Sequence, residues 1–559
     1  MKSRSQPMIF SIAILTFMAL SNVALARTSG QTTNSIENWI EDIDHLITSV
    51  RFRHVAPFKY GASEDEYLAA AAALRQRVAT LSDGRILLEL FRLHALLNDS
   101  HSEALWDSIP SNILALSALP VRFNMMRDGI YVHEALKEHE ELLGALVLRI
   151  GGTSIDEVLR ATSPIISGDN EMHRRAVAVA NTLILPAVIY ELGFSSDPLT
   201  MELDLEVDGH TEKTVTLEAH QPDPDDTWVR LRDREGQPIP LWLTHNDRTY
   251  WFKHLSEEKL LYMQFNRFAN DPNESLEAFS KRMFAFIDSH DIDKLVIDMR
   301  QNPGGDITLG SALTYRIASH EKVNRLSHFF IIFGRGSKSA APSFAIRMRQ
   351  LTNVVFVGEP TGGRPNGYGN TSIITLPNSG TQLTCSQLFV QPTWDPDRRP
   401  WITPDITAEL TIEDLAENRD PALEAIIHYL PPASFLEFVG PLTRSTTPAE
   451  IFERYAAFRN IHRNKWLDVQ EEINRIGYDF LEGNRVDDAI EVFEFNIRQY
   501  PTQYNTYDSL AEAYMNKGMT AKSIELYKKS FLMGRNNTNA LSQLENLGWE
   551  ATSAMRCSN

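Results

Sequence analysis

The chain has 559 residues, 43% of them apolar, and a formal net charge of −19. That length holds several domains, and that apolar content can bury large cores. So acidic a chain is poorly built to neutralise phosphates, which argues against nucleic acid or an anionic membrane surface as its partner.

The first residues read as an export signal. Lys2 and Arg4 precede the apolar run MIFSIAILTFMAL, and Ala24–Ala26 offers a small-x-small cleavage site ahead of a polar stretch. The run is short for a spanning helix, which needs about 20 residues. Cleavage after Ala26 removes two positive charges and leaves the mature chain near −21. The expectation is a periplasmic or secreted protein with no stable membrane span. Cys385 and Cys557 are the only cysteines. In an exported chain they allow one disulfide, but two separate thiols are equally compatible.

Residues 34–106 carry apolar residues at helical spacing in SIENWIEDIDHLITSV, EDEYLAAAAALRQRVATL and RILLELFRLHALL. The third run ends at Asn98-Asp99-Ser100-His101-Ser102. Residues 120–265 turn β-rich, with short strands such as GIYVHEAL, ALVLRIGG, MELDLEVDG and KTVTLEA bounded by Gly, Asp and Pro. His133 and His139 lack the spacing of a metalloprotease helix, and no cofactor is implied.

From about residue 275 strands alternate with helices. KLVIDM, LSHFFIIFG and NVVFVGE are continuous apolar strands, and the first two lead through RQNPGG and RGSKS into helical runs. That pattern predicts parallel strands covered on both faces. SIITLPNSGTQLTCSQLFV predicts an antiparallel hairpin turning at Asn378–Gly380. The tail repeats itself: Gly477 aligns with Ala511, Ile490 with Ile524 and Phe493 with Tyr527, an offset of 34. It resembles tetratricopeptide repeats, whose helix pairs need a neighbour to bury their apolar faces.

Ser339 lies in the turn after a buried strand and before a helix that is expected to begin near Ala341. Such a turn opens at the carboxyl edge of the sheet, where open α/β folds bind ligands. The helix N-terminus favours negative charge there. Read alone, the stretch equally suits an N-cap serine. The neighbouring turn, Asp298–Gly305, ends in Pro-Gly-Gly, which exposes backbone N–H groups. It makes an oxyanion hole from the Gly304 and Ala340 N–H groups plausible.

The ordered set LVIDMRQNPGG, SAAPS, VVFVGEPTGG and WITPDI resembles the catalytic core of the S41 serine peptidases, the C-terminal processing or tail-specific proteases and their tricorn-core relatives. The resemblance covers about residues 290–410. It implies a peptidase with Ser339 as nucleophile and a peptide or protein substrate. Arg364 stands where the processing proteases place their lysine base, and a guanidinium does not give up its proton. The tricorn-like branch uses a histidine that follows a serine after an N-terminal helix. Ser100-His101 fits, and His101 is then the base. The branch's orienting glutamate has no counterpart before WITPDI, so Asp397 is taken for that role, with Asp395 as the alternative. Arg364 is left to bind a substrate carboxylate or pair with an acid such as Glu359. Leu142–Val158 resembles a fragment of a PDZ module.

The expected architecture is multidomain α/β. A signal segment spans 1–26, a helical N-terminal domain 27–115 and a β-rich, partly PDZ-like region 116–250. The S41-type core spans 251–432 and the helical repeats 433–559. The alternative is a catalytically inactive S41-like scaffold that binds peptide or protein partners through its repeats. It is motivated by Arg364 and by Pro342 where the family has glutamate.

Overall fold

The computed structural model describes residues 34–549 apart from 234–237, 394–396, 431–433, 461–463, 465–466 and 535–536. The signal segment, Asp395 and Cys557 lie outside the described residues. The chain divides into one unit up to Tyr429 and a second from Leu430.

The front of the first unit is helical where the sequence puts apolar residues three and four apart. Ile36–Arg53, Glu64–Arg77 and α1 (Asp83–Ala95) start at the serine caps Ser35, Ser63 and Ser82. Each cap accepts a hydrogen bond from an N–H of the first turn that would otherwise go unpaired. The β-rich region folds as a mainly antiparallel seven-stranded sheet. It also contains helices the sequence reading missed, Ile155–Thr162, Glu171–Val177 and Pro186–Glu191. With eight residues or fewer, each has too few turns for a helical period to show.

The central sheet has six strands. Tyr250–Leu255 pairs antiparallel with β1 (Leu260–Phe265). Then β2 (Lys294–Asp298), β3 (Phe329–Phe333), β4 (Val355–Gly358) and Ile406–Thr407 follow in parallel, the neighbouring order of the sheet. Alternate residues enter two different cores. Leu295, Ile297, Ile331 and Phe333 pack under Leu276–Ser289, Ser311–Ser319 and α2 (Ala340–Leu351), whereas Val296, Phe330 and Ile332 pack against Pro421–Ile427. Both faces are dry, which is why these strands read as unbroken apolar runs. Burying one such Phe or Ile contributes about 1.5–3 kcal/mol.

The expected hairpin forms from β5 (Gly367–Thr375) and β6 (Gln382–Val390). It leaves the central sheet and enters the core of the front. Ile374, Leu383 and Cys385 share a cluster with Leu87, Phe91, Val121 and Leu203. Residues Ala104–Leu105 add a short third strand to β6. In the second unit, Gln470–Glu482 and Val486–Gln499 recur as Tyr504–Asn516 and Thr520–Met533, both displaced by 34. Gly477 sits so close to Phe493 that an added Cβ would lie 2.3 Å from its ring. No helix among the described residues is long and apolar enough to cross a membrane.

Candidate active site

The turn after β3 is fixed by its own polar groups. The Ser337 hydroxyl donates to Met299 O at 2.7 Å and accepts from Gly334 N–H at 3.2 Å. Lys338 N–H donates to Asn302 O at 3.1 Å, and Gly363 N–H to Ser337 O at 3.0 Å. Held at these points, Ser339 adopts φ 59°, ψ −115°. A non-glycine residue there carries strain of order 1–3 kcal/mol, as residues of active-site turns do. Ser339 stands at the N-terminus of α2, but its side chain makes no capping bond. The hydroxyl is instead 3.0 Å from His101 Nε2, across 238 positions of sequence.

His101 is delivered by the loop that follows α1, and β6 sets its place. Glu103 N–H donates to Thr384 Oγ1 at 2.9 Å, Thr384 Oγ1–H donates to His101 O at 2.6 Å, and Ser386 N–H donates to Ser102 Oγ at 3.2 Å. His94, on α1, bonds Thr384 O through Nε2 at 2.9 Å. The hairpin therefore binds the loop carrying the His101 imidazole.

The carboxylate beside that imidazole is Asp99. Its Oδ1 accepts His101 N–H at 2.8 Å and lies 3.8 Å from Nδ1. Its Oδ2 accepts the Ser102 hydroxyl at 2.6 Å and faces His54 Nε2 at 3.1 Å. The Ser100 hydroxyl is 3.5 Å from His101 Nδ1. Burial pushes the Asp99 carboxyl up, but its bonds to His101, His54 and Ser102 and the neighbouring imidazole charge outweigh this and hold it far below the usual carboxylate range. Asp397, the expected orienting acid, does something else. Its carboxylate receives Arg399 Nε at 2.9 Å and Nη2 at 2.7 Å, and it makes no bond to His101. The chain satisfies the nearer arginine first, and Asp99 reaches the imidazole because it shares its loop. Asp99 was in plain view two residues before His101. His54 sits in RFRHV, where no local pattern marks it.

Gly304 lies against Ser339. A Cβ built on it would be 2.4 Å from Ser339 Cβ and 2.9 Å from both Ser339 Oγ and Ala340 N, and its φ is +103°. Only a residue without a side chain fits. Its N–H, expected to be free for an oxyanion, donates to Asn302 Oδ1 at 2.8 Å, and Asn302 is itself anchored on Phe265 O at 2.8 Å. Ala340 N–H has no acceptor among the described residues and points from the first turn of α2.

Arg364 binds neither a free acid nor Glu359, which is held by Arg335 at 2.7 and 2.8 Å. It is 5% exposed. Its guanidinium donates to Asp169 O and, at 3.2 Å, to Asn98 O, and it stacks 4.1 Å from the Tyr60 ring centroid. Arg364 thus braces the loop that carries His101.

No protein-family model and no curated protein matches the chain. Solved structures do. Mature CPAF is 12% identical, with 70% of this chain and 96% of that chain covered at a TM-score of 0.50. The photosystem II D1 C-terminal processing protease is 13% identical over 69% of this chain and 98% of that one, TM-score 0.32. The tricorn protease is 14% identical over 70% of this chain and 36% of that one, TM-score 0.32. The chain has the S41-type peptidase fold.

Proposed function

We propose that the protein is an exported serine peptidase in which Ser339 attacks the scissile carbonyl and His101 takes its proton. The 3.0 Å approach of these two side chains is the observation that carries the reading. Oγ bonds to the carbonyl carbon as the proton moves to Nε2. The Ala340 N–H and the N-terminus of α2 receive the oxyanion, while Gly304 keeps the space beside Oγ open. Collapse expels the amine, which takes the proton from His101, and water then releases the acyl group by the same steps in reverse. Asp99 is the orienting anion, stabilising the imidazolium that forms between them.

A serine-directed phosphonate probe tests this reading. It labels the wild-type chain and neither Ser339→Ala nor His101→Ala, each with an unchanged circular dichroism spectrum. Peptide hydrolysis falls by at least about 10³-fold in both. Labelling or turnover that survives Ser339→Ala defeats the reading, and absence of labelling in the wild type favours the inactive scaffold. Export is proposed from residues 1–26 alone; N-terminal sequencing of the mature chain tests cleavage after Ala26. The helical unit from Leu430, with its recurrence of 34 residues, is proposed to hold a protein partner.

A further inference from the structure

Beside the catalytic turns lies a cavity of about 370 Å³, lined by Gln301 and Pro303 from one turn and by Gly336 and Lys338 from the other. Its far wall comes from the β-rich region. Seven cationic side chains line it against three carboxylates. Three of the cations are matched: Arg335 on Glu359, Arg230 on Glu134, and Arg300 on Asp298 and Asp420.

Among the described residues the other four, Arg232, Arg248, Arg267 and Lys338, have no carboxylate within hydrogen-bond distance. Arg232 is 8% exposed, its Nε makes no hydrogen bond, and its nearest carboxylate, Asp233, is 3.9 Å away. Arg267 and Lys338 have no carboxylate partner among the described residues. A buried guanidinium N–H left without an acceptor costs about 1–3 kcal/mol, so such a group calls for an anion. Three further buried polar atoms of the wall are also unpaired, the donor Trp242 Nε1, the acceptor Asn246 Oδ1 and the imidazole Nδ1 of His173. A carboxylate satisfies the donors, and a backbone N–H next to it satisfies the acceptor. An acidic residue within a peptide offers both. The excess of cations is local, since the chain as a whole carries −19.

We propose that this cavity is a specificity subsite for an acidic residue of the peptide substrate, its side-chain carboxylate held by Arg232, Arg267 and Lys338. The word substrate rests on the peptidase reading above; the binding does not. Lys338 immediately precedes Ser339, so an acidic side chain seated here fixes the register of the peptide at the nucleophile.

The test uses fluorescein-labelled octapeptides in which one Glu is walked through the positions, each against its Gln counterpart and each with a free or an amidated C-terminus. Binding is read by anisotropy on full-length Ser339→Ala protein and hydrolysis on the wild type. At one position Glu is expected to bind about tenfold more tightly than Gln, with amidation without effect. Arg267→Glu, at an exposed position that the fold tolerates, abolishes or inverts the preference, and Lys338→Met weakens it. Equal binding of Glu and Gln at every position overturns the proposal. So does a preference that follows amidation, which assigns the carboxylate to the peptide terminus. If the wild type hydrolyses nothing while the Arg267-dependent preference remains, the subsite stands and the peptidase reading falls.

Discussion

Replacing Gly304 with alanine puts one methyl group against Ser339, the proposed nucleophile. The added Cβ starts 2.4 Å from Ser339 Cβ, and ordinary contact begins at 3.4 Å, so the two turns must part by 3.4 − 2.4 = 1.0 Å. Both are clamped, one by Asn302 on Phe265 O and the other by Ser337 on Met299 O, so the shift falls largely on Ser339 itself. Moving Oγ by that amount takes its 3.0 Å approach to His101 out of hydrogen-bond range. A misplacement of about 1 Å at the reacting atom costs about 10²-fold in rate. The alanine also has to hold φ +103°, which adds about 1–3 kcal/mol of strain to the folded state. Stopped assays of kcat/KM on a peptide substrate, together with phosphonate labelling rates and a urea titration, separate the two effects. The expected outcome is a loss of about 10²-fold in kcat/KM and labelling at a temperature where the variant is fully folded. A Gly304→Ala chain within about threefold of wild type by both assays would refute the placement of this turn against the serine.

Asp99→Asn keeps the shape of the loop but removes the anion beside the imidazole; kcat is expected to fall by about 10²–10⁴-fold with KM little changed, measured by steady-state kinetics. Arg364→Lys restores the residue type of the processing proteases but not their activity. It gives up the paired bonds to Asp169 O and Asn98 O and the stacking on Tyr60, so urea titration should show a loss of about 1–3 kcal/mol and turnover should drop with it. A lysine variant at least as active as wild type would contradict the bracing role. Burial lowers His94 to about 4 from 6.5, so between these values the unfolded chain binds a proton that the folded chain does not. Stability therefore rises with pH across that window, is complete above it, and is about 3 kcal/mol lower below it. His133, lowered to about 3 chiefly by burial and the nearby Arg232, acts in the same direction. Denaturant titrations at several pH values should show a shallower dependence for His94→Gln than for wild type, and equal slopes would remove His94 from the account.

Much of the molecule was legible locally. Continuous apolar strands such as KLVIDM and FFIIF can be buried only on both faces, and the sheet is parallel there because short turns and helices return the chain the same way. Ser339 and the Pro-Gly-Gly turn were found because strand–turn–helix is a local pattern, and the hairpin turn at Asn378–Gly380 for the same reason. The helices within 155–191 were missed because a helix of six to eight residues shows little period. Arg364 was legible as a residue that cannot be a base, but not as a brace, since its partners Asn98 and Asp169 are 266 and 195 positions away.

The sequence by itself determined the longer helices, the parallel sense of the apolar strands and the residue types able to attack a carbonyl, because those follow from short-range sterics and from the period of apolar side chains. Tertiary structure decided which groups meet. The pairing of Ala104–Leu105 with β6 carries His101 to Ser339, the proximity of Arg399 removes Asp397 and leaves Asp99 beside the imidazole, and Asn302 takes the Gly304 N–H. Each is a contest between partners brought together by a register, and a register across hundreds of residues is fixed by the packing of the shared core, not by any stretch of chain read alone.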